Sequence, residues 1–317
     1  MSVWLPGAPC TPRVCVRATA SRTGVARAVL RLTAVAVLVL AGVVLSPLRG
    51  LIPAGAVRRW SRTVVRAAGV RVRVTGASAP AAGGLLLVAN HISWLDVPLL
   101  AGVRPARMLA KAEIRRWPVA GALAARGGVL FIDRDRLRSL PATVERIAQV
   151  LRSGRAVAVF PEGSTWCGRA QGRFRRAVFQ AALDAGARVQ PVRIGYRDGG
   201  GAVSTAAAFV GDDSLLASLW RVASTRGLVA EVEVLPALAA DGHPDRRALA
   251  EAAGAGVLDA PRERPSPVPA AVRHGPRGAR QAVGGGSRPP RRFPATRGRS
   301  CRVDGIMTRP DLRGERV

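Results

Sequence analysis

Lysine is almost missing from this sequence: Lys111 stands alone among 317 residues, although basic residues total 49 against 20 acidic ones. The formal charge of +29 is therefore nearly all arginine. Together with abundant Ala, Gly, Val and Pro, that bias reads partly as G+C-rich coding rather than as a need for guanidinium at every site. The remaining charge still predicts attraction to an anionic surface, either nucleic acid or acidic lipid headgroups. Aromatic residues are also scarce. At 4% of the chain they supply little for stacking bases along a basic groove. Zinc-finger, basic-leucine-zipper and RNA-recognition signatures are absent as well, so lipid is favoured and no specific nucleic acid is expected. Three histidines are too few for a His-rich metal centre. Cys10, Cys15, Cys167 and Cys301 are too scattered for a disulfide framework or a Cys-x-x-Cys site. No metal is expected, and a reducing, cytoplasm-facing compartment fits this cysteine usage.

What the chain does have is hydrophobic mass, 48% of its residues, enough for the core of one domain of roughly 200 residues. Residues 1–25 carry Pro, Arg and Cys without periodicity and are expected to be a disordered N-terminus. Residues 26–69 form an expected membrane-anchoring region. Leu32 to Leu48 is a run of 17 uncharged residues, with Arg27 and Arg31 before it and Arg49 after it. That length is at the short limit for a spanning helix, so the run either crosses the bilayer or dips into one leaflet. The positive flanks on both sides leave orientation open. A signal peptide is the competing reading, but no clear small-x-small cleavage site follows. Next, Arg58, Arg59, Arg62 and Arg66 interleave with Val57, Trp60, Val64 and Val65. At helical spacing this predicts a basic amphipathic helix suited to anionic headgroups, or an ordinary surface helix with an apolar underside.

From residue 70 to 257, short apolar runs alternate with helical patterns. Strands are expected at Val70–Thr75, Leu85–Ala89, Arg107–Ala110, Val129–Ile132, Ala156–Phe160, Val189–Tyr196, Ala207–Val210 and Leu228–Leu235. Helices are expected at Leu95–Ala101, Trp117–Ala124, Leu137–Ser153, Arg173–Ala185, Ser214–Ala223 and Asp245–Ala253. The alternation predicts an α/β fold, a mostly parallel sheet flanked by helices, with chemistry gathered where strands end. Residues 258–317 are rich in Pro, Gly and Arg, with few adjacent apolar pairs, and are expected to be a disordered C-terminal tail.

His91 follows the Leu85–Ala89 run, where the chain leaves a buried sheet for a loop. A histidine there suits a general base near neutral pH. Asp96, five positions on, can reach back to fix the imidazole tautomer and stabilise the imidazolium. Asp96 also has a plainer reading, at the third position of a helix capped by Ser93. No Ser or Cys stands in a nucleophile-elbow setting, which favours direct attack by a deprotonated acceptor hydroxyl on an activated acyl group.

Downstream, in order, stand Gly128-Val129-Leu130-Phe131-Ile132-Asp133-Arg134, Phe160-Pro161-Glu162-Gly163-Ser164-Thr165 and Val189-Gln190-Pro191-Val192. With the Asn90–Asp96 block, and with Lys111-Ala112-Glu113 and Trp117-Pro118-x-x-Gly121 between, the sequence resembles the 1-acyl-sn-glycerol-3-phosphate acyltransferase (glycerolipid acyltransferase) family. The resemblance covers roughly residues 80 to 236, half of the chain.

The resemblance implies roles. His91 is the base and Asp96 its orienting partner. Arg134 holds the acceptor's phosphate through paired guanidinium donors, though a strand-end arginine is also simply solvated. Glu162 and Gly163 follow the Ala156–Phe160 strand and are expected beside His91 at the same sheet edge, where Glu162 binds the free hydroxyl or a neighbouring Arg and Gly163 lets backbone approach the acceptor. Taken alone, Pro161-Glu162-Gly163 reads as a turn. Ser164 and Thr165 are further candidate phosphate donors, and Pro191 shapes the acyl pocket. The implied reaction moves a fatty acyl group from acyl-CoA or acyl-carrier protein, as co-substrate, to a lysophospholipid hydroxyl. The leading case turns 1-acyl-glycerol-3-phosphate into phosphatidic acid at the cytoplasmic face of the cell membrane, with no cofactor. Another acceptor, such as a lyso-aminolipid, is the alternative within the family. A non-enzymatic basic protein binding membrane or nucleic acid is the alternative outside it.

Overall fold

The computed structural model of the chain describes residues 7–17, 22–48, 50–78, 80, 83–116, 121, 127–133 and 137–258. The tail expected to be disordered, 258–317, lies outside these residues except for Leu258, and so do Arg134 and most of the expected Trp117–Ala124 helix.

A seven-stranded sheet organises the fold. Its strands are β1 (Arg71–Gly76), β2 (Leu85–Ala89), β3 (Arg107–Lys111), β4 (Leu130–Ile132), β5 (Ala156–Val159), β6 (Arg188–Arg197) and β7 (Val229–Val234). The order across the sheet is β1-β7-β6-β2-β5-β3-β4. Neighbours pair in parallel except β6 and β7, which run antiparallel. In that pair Arg193 and Arg197 meet Glu233 and Glu231 across the strands, which is favourable cross-strand pairing.

β2 lies between β6 and β5, and all five of its residues are buried. That is why Leu-Leu-Leu-Val-Ala reads as a continuous apolar run rather than an alternating one. Leu86 and Val88 join a core with Ile147 and Leu151 of α5 (Leu140–Arg152), Phe179 of α6 (Ala177–Asp184) and Leu249 of α8 (Arg246–Leu258). Leu85, Leu87 and Ala89 point to the opposite face and are buried there too. Gly84 precedes β2 because a Cβ there would stand 2.2 Å from the Leu151 carbonyl oxygen.

Two expected helices start late, for local reasons. Leu137–Ser139 is a 3-10 turn, and α5 begins beyond it with Pro141 in its first turn, where a missing N–H costs nothing. α6 begins at Ala177 rather than Arg173 because the Gly172 and Arg175 N–H groups are drawn to Glu162 and to the Pro161 carbonyl.

Ala207–Val210, expected as a strand, is a buried turn and loop. Its alternation reflects burial, not pairing. Arg221 of α7 (Leu215–Ser224) donates to the Ala206 and Ala208 carbonyls while ion-paired to Asp213, and the Phe209 N–H donates to the Ile92 carbonyl. These bonds replace a strand ladder.

At the N-terminus α2 (Val25–Leu45) is tied to the domain. The Thr23 N–H donates to the Ser224 carbonyl, and Arg31 donates to the carbonyls of Ala223 and Thr225. Trp60 of α3 (Ala54–Ala67) lies over Gly42 and donates from Nε1 to the Leu38 carbonyl at 3.0 Å. α3 then packs on α4 (Asp96–Val103), where Arg62 donates to the Gly102 carbonyl. The outer face of α2 stays exposed at Val29, Leu30, Val37, Leu40 and Val44. Val25–Leu48 is long and apolar enough to cross a membrane, and 11% of its most apolar window is buried.

The expectation that residues 1–25 lack structure does not anticipate residues 7–17. These hold a one-turn helix, α1 (Pro12–Cys15), and dock on the domain, with the Arg17 N–H donating to Thr205 Oγ1. Cys10 and Cys15 are the only buried residues of that stretch. They reach the buried Cys167, a convergence the scattered spacing of the cysteines does not suggest.

Candidate active site

The site forms where β2 and β5 end side by side and β6 runs on beyond them. Parallel neighbours deliver their C-terminal ends to one edge, the place where α/β sheets collect chemistry. Asn90 closes β2 by exchanging two hydrogen bonds with Ile194 of β6, each 2.8 Å, one to its N–H and one from its side chain to its carbonyl. His91 then leaves the sheet with its backbone held on both sides. Its N–H donates to Glu162 Oε2 at 2.6 Å, and its carbonyl accepts from the Trp166 N–H at 2.8 Å. The imidazole stacks on Phe160, with ring centroids 3.9 Å apart and planes 11° from parallel.

Nδ1 of His91 lies 2.9 Å from Asp96 Oδ2. The His91 side chain is 21% exposed and that of Asp96 is fully buried. A carboxylate on Nδ1 selects the tautomer with Nδ1–H, which leaves Nε2 with the lone pair. Oδ2 also accepts the N–H groups of Ile92 and Ser93 at 2.6 and 2.8 Å. Asp96 thus closes the turn that presents the histidine, while Ser93 Oγ accepts the Leu95 N–H. The cap reading of Ser93 is corrected in this respect: the helix starts at Asp96, its N-cap residue is Leu95, and no side chain caps it. Leu95 holds helical backbone angles, not the extended ones that let a cap side chain turn back on the first N–H groups.

Tyr196 completes the arrangement. Its hydroxyl donates to Asp96 Oδ1 at 2.6 Å from complete burial on β6. Burial raises the phenol well above its ordinary range, and the neighbouring Asp96 charge adds to this. The sequence reading missed it, yet a signal existed: Tyr196 is the only tyrosine in the chain.

Glu162 lies beside this pair at 3% exposure, joining two strand ends through its carboxyl group. One oxygen accepts from His91 and the other from the Gly172 N–H at 2.8 Å. Burial, with a smaller contribution from the Asp96 charge, pushes its pKa up to about 8 against those two N–H groups. Gly163 follows with φ 78°, in the left-handed region, and its N–H donates to the Phe160 carbonyl at 3.2 Å. The turn reading of Pro161-Glu162-Gly163 and a position beside His91 are therefore both realised. Ser164 and Thr165 continue the same loop, half-buried. Pro191 instead sits within β6 in register with Val88, inside the sheet.

A stability consequence follows from Glu162. Its folded pKa, about 8, exceeds the ordinary value of 4.5, so the folded state holds this proton more tightly than the unfolded chain does. The resulting stabilisation is complete below pH 4.5 and is lost as pH rises to about 8. The loss is at most about 1.4 kcal/mol per pH unit across that window. Denaturation midpoints measured from pH 4.5 to 9 should fall more steeply for the wild type than for Glu162→Gln. Parallel curves would assign the proton elsewhere.

Chemically, the arrangement offers a buried carboxylate and a partly exposed histidine oriented by it through Nδ1. That is the equipment for taking a proton from a hydroxyl. The family model described as Acyltransferase matches residues 71–195, the span from β1 into β6. A lyso-ornithine lipid O-acyltransferase of Pseudomonas aeruginosa is 41% identical over 197 residues, covering 62% of this chain and 74% of that protein. A 1-acyl-sn-glycerol-3-phosphate acyltransferase of Neisseria meningitidis is 34% identical over 194 residues, covering 61% of this chain and 76% of that protein. The crystal structure of the 1-acyl-sn-glycerophosphate (LPA) acyltransferase PlsC from Thermotoga maritima shares the fold. The TM-score is 0.53 at 18% identity, over 72% of this chain and 95% of that one. An α/β sheet that ends in the His91–Asp96 pair, matched by these relatives over most of their own length, places the chain in the acyltransferase family of the 1-acyl-sn-glycerol-3-phosphate and lyso-ornithine lipid acyltransferases.

Proposed function

We propose that the chain transfers a fatty acyl group from acyl-CoA or acyl-carrier protein to the free hydroxyl of a lysolipid, with 1-acyl-glycerol-3-phosphate as the leading acceptor. The observation that carries this reading is the 2.9 Å contact between His91 Nδ1 and Asp96 Oδ2. Nε2 of His91 takes the proton of the acceptor hydroxyl as its oxygen attacks the thioester carbonyl carbon. The tetrahedral intermediate then collapses, the C–S bond breaks, and the imidazolium returns the proton to the leaving thiolate. Asp96 stabilises the imidazolium during the interval, and Phe160 fixes the plane of the ring. Tyr196 acts through Asp96, holding its second oxygen so that the first stays on His91. Gly163 lets the protein backbone come close to the acceptor, and Ser164, Thr165 and Arg134 supply donors for a phosphate.

A second acceptor is favoured by one finding: the Pseudomonas relative, at 41% identity, is a lyso-ornithine lipid acyltransferase. Purified full-length protein offered lysophosphatidic acid and lyso-ornithine lipid in detergent, with either thioester donor, decides the matter by mass spectrometry of the product. Acylation of neither acceptor would sink the proposal. Attachment to the cytoplasmic face of the membrane is part of the same reading. It is supported by the exposed apolar face of α2 and by Arg58, Arg59, Arg62 and Arg66, which line one concavity on α3.

Tyr196→Phe supplies a graded check. The ring still fills its place, so stability should fall by only about 1 kcal/mol, the size of one hydrogen bond. The acyl-transfer kcat should drop roughly tenfold, with KM nearly constant, because the lost contact supports the imidazolium formed during transfer. A change confined to KM would remove Tyr196 from the relay.

A further inference from the structure

Three of the four cysteines meet at one point. Sγ atoms of Cys10, Cys15 and Cys167 lie within 4.8 Å of one another, and all three residues are buried. Two come from one short segment with Cys-x4-Cys spacing, Cys10 just before α1 and Cys15 as its last residue. The third comes from the loop after β5, 152 positions beyond Cys15. Its sulfur accepts the backbone N–H groups of Arg169 and Ala170, in a turn where Gly168 has φ 80°.

Beyond the Arg17 bond to Thr205 and a few half-buried side chains, the described part of the docked segment contributes little that would hold it. Val14 is 69% exposed, and only Cys10 and Cys15 are buried between residues 7 and 17. The conformational entropy lost in ordering that stretch exceeds what burying two small thiols returns. Something that acts on the sulfur atoms themselves is needed. A disulfide would use two of them and leave an odd thiol buried beside it. A metal ion uses all three. In a tetrahedral zinc site with Zn–S near 2.3 Å, sulfur atoms stand roughly 3.8 Å apart, so a cluster already within 4.8 Å needs to contract by no more than about 1 Å to hold the ion.

We infer that Cys10, Cys15 and Cys167 form a thiolate site for a thiophilic divalent ion of the zinc type, which fastens the N-terminal segment to the loop beneath His91. Zinc suits the donor set because soft thiolates select zinc over magnesium or calcium. The three sulfurs occupy three positions of a tetrahedron. The attachment reaches the candidate active site through one residue. Trp166 immediately precedes Cys167, and its N–H donates to the His91 carbonyl. The site is structural, so its presence does not depend on which lipid is acylated.

Full-length protein purified under reducing conditions, then desalted, is expected to retain about one zinc per chain by elemental analysis. Cys10→Ser and Cys167→Ser should lose it, while Cys301→Ser should keep it. Stripping the metal with a mercurial and a chelator should lower the unfolding temperature by about 5–10 °C, restored by zinc and not by magnesium. Cobalt substituted into the wild-type protein should give a thiolate-to-metal charge-transfer band, a readout that stands even if a serine variant fails to fold. The inference is overturned if zinc-loaded protein retains no metal, or if cobalt gives no such band. Two of these cysteines joined in a disulfide in the isolated protein would overturn it too, as would metal lost from Cys301→Ser but kept in Cys167→Ser.

Discussion

His91→Ala should reduce acyl transfer by about 10²–10⁴-fold, the range that a positioned general base contributes. The side chain is 21% exposed at the mouth of the site and its backbone bonds to Glu162 and Trp166 do not involve the ring. The variant should therefore fold, at a cost of about 1–3 kcal/mol for the lost bond to the Asp96 carboxylate. Loss of rate with an intact fold is the expected combination, measured by product formation with the preferred lysolipid and by thermal unfolding. Turnover at the wild-type level would refute the base assignment while leaving membership of the family untouched.

Asp96 separates rate from stability in a different way. Its carboxylate accepts three N–H groups on Oδ2 and the Tyr196 hydroxyl on Oδ1, at complete burial. Asp96→Ala strands all four donors without water and should cost about 3–5 kcal/mol of stability. Asp96→Asn can keep its carbonyl oxygen toward the three N–H groups and turn its amide toward the tyrosine oxygen. Its stability cost should be nearer 1–3 kcal/mol, the difference between charged and neutral hydrogen bonds. The rate should nevertheless fall about as far as in His91→Ala, because no negative charge faces the imidazolium. Equal unfolding midpoints for the alanine and asparagine variants would contradict this account of the turn. An asparagine variant that keeps its rate would show that the charge is not needed.

The legible parts of the sequence were those written locally. β2 begins and ends where its apolar run does, Leu85 to Ala89, because both of its faces are covered. The His91–Asp96 pairing was legible since five residues of turn bring them together. Tyr196 was not, because it reaches Asp96 only through the placing of β6 beside β2, a hundred positions away in sequence. The same reason hid the meeting of Cys10 and Cys15 with Cys167. Ala207–Val210 misled because a buried loop whose carbonyls are served by Arg221 has the same apolar content as a strand. Glu162 was placed correctly beside His91, but its grip on two backbone N–H groups was not foreseen: the acceptor-binding role implied for it competes with a scaffold role. Arg134 lies outside the described residues, and its phosphate contact stays with the proposal.

The way α2 and α3 return to the domain bears on the shape of membrane this protein prefers. α2 starts from the domain at Thr23, and α3 runs straight into β1. The way back is thus 14 helical residues, about 21 Å at 1.5 Å per residue. A hydrocarbon core of roughly 30 Å is deeper than that. On the proposed membrane attachment, with both ends held on one side, the helix pair would load a single leaflet, as a wedge that widens the near monolayer. Such a wedge enters most easily where that monolayer is already stretched by curvature or loosely packed. On that reading, turnover should rise as vesicle radius falls, a dependence that acts before any substrate reaches His91.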